Sequence, residues 1–309
     1  MGDQNQDGYD DILVYSYGFE RWELFYGGNP MDTLPDWTIH GLKIGDINIG
    51  DLNQDGLADM AIVNRYRNEQ GESAIAHNVY FGGDLDTIPD LILDGVSIPY
   101  RTGDINGDGH DDVCTVWSGW NQSRGKIRFF LSEDGFLDSI PDFDIDGAQP
   151  YTGLGSIFYS GCDINGDGFT DFMYYGYENE DDNRNIYIHF GGERLNAEPD
   201  IQFVSGIEVG EYILDHIYII DDLNGDGIDD FILRLERDLR SGIMFGSDEF
   251  ELVIDVVLHP EGSGSTYYGL TIGDINGDEY NDLLCSDQTG VGGLGKINLF
   301  LGGRWMDGG

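Results

Sequence analysis

Apolar and polar residues alternate along this chain in short runs with the two-residue period of half-buried strands. No segment carries the three-to-four spacing of an amphipathic helix. Runs such as Ile12-Leu13-Val14-Tyr15 and Phe231-Ile232-Leu233 are rich in β-formers and follow directly on an acidic, glycine-bearing stretch. A variable polar or aromatic loop comes next, then a second alternating strand that ends in a glycine pair or its equivalent. These ends read Phe25-Tyr26-Gly27-Gly28, Tyr80-Phe81-Gly82-Gly83, His189-Phe190-Gly191-Gly192, Met244-Phe245-Gly246-Ser247 and Phe300-Leu301-Gly302-Gly303, while the third copy departs as Phe129-Phe130-Leu131-Ser132. A turn carrying proline follows in Leu34-Pro35-Asp36, Ile88-Pro89-Asp90, Ile140-Pro141-Asp142 and Glu198-Pro199-Asp200. Proline fixes φ and gives up a donor, which suits the first position of a strand. A third strand, as at 142–147, and a fourth, as at 270–273, then lead to the next acidic stretch. Four short strands per unit predict an all-β fold, a β-propeller of four-stranded antiparallel blades that bury their faces against one another.

The acidic stretch recurs six times as D-x-N-x-D-G-x-x-D. Its copies begin at Asp3, Asp51, Asp104, Asp163, Asp222 and Asp274, at intervals of 48, 53, 59, 59 and 52 residues, a repeat architecture. Oxygen-bearing side chains fall at positions one, three, five and nine. They would repel one another unless a divalent ion sat among them, and hard oxygen donors favour Ca²⁺. The candidate ligand sets are Asp3, Asn5, Asp7 and Asp11; Asp51, Asn53, Asp55 and Asp59; Asp104, Asn106, Asp108 and Asp112; Asp163, Asn165, Asp167 and Asp171; Asp222, Asn224, Asp226 and Asp230; Asp274, Asn276, Asp278 and Asp282. In the second copy Gly45-Asp46-Ile47-Asn48 nearly duplicates the motif start, but only the register from Asp51 completes four ligands. Glycine at position six permits the positive φ of a tight turn. Glu279 replaces it in the sixth copy, which predicts a strained turn and the weakest metal affinity. An EF-hand would need an acidic residue at position twelve, where this chain has Val14, Ile62, Thr115, Tyr174, Leu233 and Cys285. The loops join strands.

Composition narrows the function classes. The 309 residues are 40% hydrophobic and 13% aromatic, enough for a substantial core in one large all-β domain or two ordinary ones. The formal charge of −44 is in part a metal-site inventory: the loops supply eighteen carboxylates, and six Ca²⁺ would bring the balance to about −32. With only 15 Lys and Arg there is no basic stripe for nucleic acid or an anionic membrane, and no apolar run approaches a membrane span. Cys114, Cys162 and Cys285 are odd in number and lack C-x-x-C spacing, and Cys114 and Cys285 read as small buried residues. Cys162 stands where four other copies carry glycine immediately before the first ligand. The six histidines are dispersed, and no G-x-S-x-G, H-E-x-x-H or phosphate-cradling glycine loop occurs, so no catalytic residue is assigned. Among 59 acidic residues a glycosidase-type carboxylate pair carries no specificity.

Six in-register loops followed by Phe-Gly-Gly strand ends resemble the FG-GAP and VCBS repeat family, the calcium-binding β-propellers similar to the head of integrin α subunits. The resemblance covers nearly the whole chain. It implies Ca²⁺ in each loop, bound by positions one, three, five and nine, on the face where the first and second strands of a blade join. It also implies that 1–309 is a single propeller domain of six or seven blades. Strand counting predicts a fragment truncated at both ends: the first blade, within 1–40, lacks its first strand, and the last lacks its final strand. The run Gly302-Gly303-Arg304-Trp305-Met306-Asp307 breaks off where Gly27-Gly28-Asn29-Pro30-Met31-Asp32 continues into a proline turn. Met1-Gly2 leads directly into the first loop, so no signal peptide is read in this chain. Weak calcium sites suit extracellular modules, which favours an extracellular or cell-surface location.

The expectation is therefore a non-catalytic, calcium-stabilised module for extracellular protein or carbohydrate binding, monomeric and without nucleic-acid partner or membrane insertion. Its ligand would bind the face opposite the calcium loops. Candidate aromatics are Tyr15, Tyr17, Phe19 and Trp22 in the first repeat, Trp117 and Trp120 in the third, and Tyr174, Tyr175 and Tyr177 in the fourth, with Tyr100, Tyr151, Tyr267 and Tyr268 from the strand connections. Flat apolar rings beside Asn, Asp and Gly suit a sugar, although the same rings equally serve packing between sheets. The alternative is the propeller of a secreted polysaccharide lyase or hydrolase, which the resemblance allows; no basic residue stands out as its proton-abstracting group.

Overall fold

A computed structural model describes residues 2–41, 48–53, 55–67, 73–83, 85–94, 99–132, 136–177, 184–204, 208–209, 212–235, 240–258, 267–287 and 296–303. The chain is all-β, built from six antiparallel sheets of the propeller-blade type. Among the described residues the single helix, Trp120–Ser123, is a turn with non-helical φ/ψ at Asn121 and Gln122. Among the described residues no helix is long and apolar enough to cross a membrane. The chain divides into two compact units, 1–156 with 195–197, and 157–194 with 198–309.

The first unit holds three sheets. In the first, β1 (Ile12–Ser16), β2 (Arg21–Phe25) and β3 (Trp37–His40) lie in order, and a bridge from Gly2 to Asp11 extends it on the β1 side. The second runs β4 (Asn48–Gly50), β5 (Asp59–Arg67), β6 (Ser73–Tyr80) and β7 (Leu91–Asp94). The third runs β8 (Tyr100–Gly103), β9 (Asp112–Val116), β10 (Lys126–Phe130) and β11 (Phe143–Asp146). Strand β9 is buried along its whole length, as a strand packed on both faces must be.

In the second unit β12 (Phe158–Cys162), β13 (Asp171–Tyr177), β14 (Arg184–His189) and β15 (Ile201–Val204) form one meander. The next sheet has five strands: the short β16 (Glu208–Val209) adds to β17 (Tyr212–Ile220), β18 (Asp230–Leu235), β19 (Arg240–Met244) and β20 (Val256–Leu258). The last comprises β21 (Tyr267–Gly273), β22 (Asp282–Asp287) and β23 (Lys296–Phe300). Met306 and Asp307, and the side chains of Tyr267 and Tyr268, lie outside what is described.

Adjacent sheets of one unit pack with a fixed polarity, counted from the position-nine aspartate. The second residue after it faces onward, while the first and third face back. Ala61 thus shares a core with Val113, Met173 with Phe231 and Leu233, and Ile232 with Leu283 and Cys285. Leu13 likewise lies against the cluster of Met60 and Ile62. Each fully buried aliphatic or aromatic side chain contributes roughly 1.5–3 kcal/mol. Polar ties cross the same junctions: Trp37 Nε1 donates to Asp86 O at 2.6 Å, and the buried Tyr175 hydroxyl both donates to Ile217 O and accepts Ile217 N–H, each at 2.8 Å.

Candidate metal centre

Four of the six loops enter through a β-bulge. Gly50, Gly103 and Gly273 pair with the position-nine aspartates Asp59, Asp112 and Asp282, and Cys162 takes that place opposite Asp171. All three cysteines are buried and free, as the sequence predicts for Cys114 and Cys285.

The first half of the loop is an exposed turn tied by its own acids. In the third copy Asp104 accepts the N–H groups of Gly107, Asp108 and Gly109 at 2.6, 3.1 and 2.8 Å. Asn106 Oδ1 accepts from Asp108 N–H at 2.9 Å, and Asp108 Oδ1 accepts from His110 N–H at 2.9 Å. The position-one carboxylates Asp3, Asp51, Asp163, Asp222 and Asp274 all take the position-six N–H at 2.7–2.8 Å. Oxygens of positions one, three and five therefore gather over one backbone nest.

That nest requires a left-handed residue at position six. Gly8, Gly56, Gly109, Gly168 and Gly227 have φ of 88–92°. Glu279 adopts φ 73°, the strained conformation its sequence position predicts, and still donates its N–H to Asp274 at 2.8 Å. The glycines have nothing within 4 Å of an added Cβ, so the penalty at this position is conformational and not steric. Position four is left-handed too, at Gly107, Gly166, Gly225 and Gly277 (φ 74–80°) and at Gln6 (φ 58°). Sequence reasoning missed this second requirement, although the recurring N-G-D of four copies carries it.

Position nine behaves differently. Its two carboxylate oxygens accept backbone N–H groups from opposite directions, one from position two of its own loop and one from the end of the second strand. Asp11 binds Gln4 and Gly27; Asp59 binds Leu52 and Gly82; Asp112 binds Ile105 and Ser132; Asp171 binds Ile164 and Gly191; Asp230 binds Leu223 and Gly246; Asp282 binds Ile275 and Gly302, all at 2.6–3.0 Å. The preceding amide of the same strand end goes to a second carboxylate. Asp36, Asp90, Asp142, Asp200 and Asp255 accept the N–H of Tyr26, Phe81, Leu131, Phe190 and Phe245 at 2.7–2.9 Å. These bonds explain the glycine pair: a Cβ at Gly27, Gly246 or Gly302 would strike the carbonyl oxygen of Asp10, Asp229 or Asn281. Ser132 stands in that place in the third sheet and adds its Oγ to Asp112 at 3.4 Å.

The position-nine aspartates are buried. Burial pushes the carboxyl of Asp59 up to about 6, and those of Asp112, Asp171 and Asp230 up to about 7; two amide bonds pull each down, and the position-one and position-five acids of the same loop push it up again. Each loop thus holds mutually repelling carboxylates whose oxygens suit a hard divalent ion, the position-one, -three and -five side chains outermost. Among the described residues no three His, Cys, Asp or Glu side chains are already drawn together as a metal-binding group.

The aromatic candidates separate sharply. Tyr174, Tyr175 and Trp22 are core residues. Tyr174 hydrogen-bonds His189 at 3.0 Å, and Tyr15 packs on Trp22 with ring centroids 4.9 Å apart. Tyr17 and Phe19 are exposed at the β1–β2 turn, where the Arg21 guanidinium lies 4.9 Å from the Phe19 ring centroid. The third sheet brings three candidates onto one stitched pair of loops, 117–125 and 147–154, at the end of that sheet away from its acidic loop. Tyr151 N–H donates to Gln122 O, Gly153 N–H to Ser123 O and Leu154 N–H to Arg124 O, at 3.0, 2.7 and 3.0 Å. Asn121, Gln122, Ser123 and Tyr151 there have φ of 44, 63, 58 and 67°, non-glycine residues held left-handed by this stitching. Trp117 and Tyr151 are exposed on the same pair, and Lys126 Nζ lies 4.6 Å from the Trp120 ring centroid while paired with Asp144 and Asp146.

No family model matches the chain. Over 200 residues, 56% of its length, it is 25% identical to integrin alpha-5 of Xenopus laevis, and it spans 19% of that protein. Among solved structures, BBS1N in complex with ARL6DN, soaked with lead, is similar over 97% of this chain and 89% of that chain, at 10% identity and TM-score 0.37. The Dos1 propeller is similar over 97% of this chain and 85% of that chain, at 10% identity and TM-score 0.33. The likeness to integrin alpha-5 agrees with the FG-GAP resemblance read from the repeated loops.

Proposed function

We propose that this chain is a calcium-stabilised, non-catalytic β-propeller module that binds protein or carbohydrate outside the cell. The observation that carries the reading is the sixfold exposed nest in which Asp, Asn and Asp at positions one, three and five gather their oxygens above a buried fourth carboxylate. Bound Ca²⁺ supplies charge neutralisation at each loop. The side chains that hold it are those of positions one, three and five, such as Asp104, Asn106 and Asp108, with the position-nine acid, Asp112 in that loop, as the fourth donor and the link to the sheet. The likeness to integrin alpha-5 supports the calcium assignment and the extracellular location.

Ligand recognition falls to the stitched loops of the third sheet. Trp117 and Tyr151 offer exposed rings on a backbone held rigid by four left-handed residues and five inter-loop hydrogen bonds. Preorganised aromatic faces cost little entropy on binding. A glycan array and a binding screen against extracellular matrix proteins, run in calcium and in chelator, test the reading. Binding without turnover, lost in Trp117→Ala and Tyr151→Ala, is the expected result. Unsaturated or shortened oligosaccharides would establish an enzyme instead.

A further inference from the structure

The three most exposed aliphatic side chains among the described residues occupy one equivalent position in three consecutive repeats. Leu34, Ile88 and Ile140, each just before the proline of its turn, are 72%, 71% and 70% exposed. All three turns belong to the first unit and project at the acidic-loop end of their sheets, where the position-nine acids hold Gly27, Gly82 and Ser132. They stand side by side. Trp37, at the foot of the first turn, donates to Asp86 O of the second and shares a cluster with Leu85, and Leu137 of the third packs with Leu91 and Leu93.

The fold does not require an aliphatic tip. The fourth turn carries Glu198 in the same place, and its Asp200 clamps Phe190 as Asp36, Asp90 and Asp142 clamp Tyr26, Phe81 and Leu131. Each aliphatic tip also lies between two carboxylates, Asp32 and Asp36, Asp86 and Asp90, or Asp138 and Asp142, and the first of each pair accepts the tip's own N–H at 2.5–2.8 Å. Segments 29–36, 85–90 and 136–142 contain no Lys or Arg. Beside the third tip is a cleft of about 300 Å³ lined by Leu131, Phe136, Asp138, Ile140 and Asp142, in which Phe136 is 80% exposed.

We infer that these three turns form a docking surface for a basic amphipathic helix of a partner protein. The apolar stripe of that helix meets the tips and the cleft, and the lysines or arginines bordering the stripe meet the flanking carboxylates. Sheets packed face to face lie about 10 Å apart, so three tips span roughly 20 Å, the length of a helix of about 14 residues. Charge complementarity selects this occupant: a second copy of the chain, at −44, and an anionic membrane would both be repelled. The surface is separate from the stitched loops, which lie at the other end of the third sheet.

The probe is a labelled synthetic peptide of about 18 residues with Leu at i, i+3, i+4 and i+7 spacing and Lys elsewhere. An isomer of the same composition, with its leucines spread so that they form no helical stripe, carries the same charge. Fluorescence anisotropy with the whole chain, at physiological salt and in calcium, should show one-to-one binding of the helical peptide and roughly tenfold weaker binding of the isomer. Leu34→Glu, Ile88→Glu and Ile140→Glu combined, which copy the fourth turn, should keep the melting temperature and weaken binding by roughly tenfold or more, although they add negative charge. Asp32→Asn, Asp86→Asn and Asp138→Asn combined keep the acceptor oxygen of each turn and should weaken binding and reduce its salt dependence. No binding of the helical peptide, equal binding of the isomer, or undiminished binding by the Glu variant would overturn the inference, as would tip-dependent binding to phosphatidylcholine vesicles in place of the peptide.

Discussion

Asp104 and Asp112 belong to one nine-residue loop and carry the same functional group, yet the structure uses them in opposite ways. Asp104 is solvent-facing and folds three amides of its own turn around itself. Asp112 is buried, and its amides come from Ile105 and from Ser132, twenty residues away on the end of the neighbouring strand. The outer acid shapes a site, whereas the inner acid fastens that site to the sheet. The motif therefore codes two functions in one line of letters, and a carboxylate count overstates how many oxygens are available to an ion.

Calcium removal breaks the outer half and should give the largest effect. Each ion held at a hundredfold over its Kd contributes about 2.7 kcal/mol, so EGTA should lower the melting temperature markedly and Ca²⁺ should restore it; an unchanged melting curve would rule out the calcium assignment. Asp112→Ala breaks the inner half at a single site. It strands two buried amides, each worth about 1–3 kcal/mol, and urea titration should show destabilisation of roughly that sum in EGTA and a larger one in calcium, where the fourth donor is lost as well. Asp104→Ala should match it only when calcium is present.

Acidity separates the halves differently. In EGTA, the folded-state pKa of about 6 for Asp59 and about 7 for Asp112, Asp171 and Asp230 exceeds the ordinary 3.8. The folded protein then binds more protons than the unfolded chain, so this contribution is full at low pH and is lost as pH rises through about 7. Buried His77 and His189, held down to about 4 from 6.5, act in the opposite sense and lose stability as pH falls below 6.5. Between pH 6.5 and 8 only the carboxylates change, so chelated protein should grow less stable as pH rises through that interval, and calcium should flatten the slope. The smallest effect belongs to Glu279→Gly, which removes a left-handed residue and should stabilise the protein by about 1 kcal/mol, with tighter calcium binding at the sixth loop measured by calorimetry.

Much of this was legible in the sequence. Strand runs, loop register and the strain at Glu279 all follow from local rules of period, donor spacing and backbone φ, and the structure reproduces them. The clamps were not legible, because they join residues by long-range hydrogen bonds. The aspartate of Asp11 recurs in every repeat and the glycine of Gly27 in all but the third, where Ser132 replaces it, but nothing local says that one bonds the other. Asp255 shows the same limit, since it clamps Phe245 without the proline that marked the other four turns. Aromatic function was equally hidden: Tyr174 and Tyr151 look alike in a list of letters, and only packing makes one core and the other surface.

The one-way stacking of sheets has a consequence for how such a gene can change. Each junction within a unit uses the same pair of faces, so duplication or loss of one whole repeat, about fifty residues, leaves each such junction that survives chemically intact. Unequal recombination within the repeats can therefore lengthen or shorten the protein without a compensating mutation, whereas an insertion of half a repeat would bring two like faces together and fail.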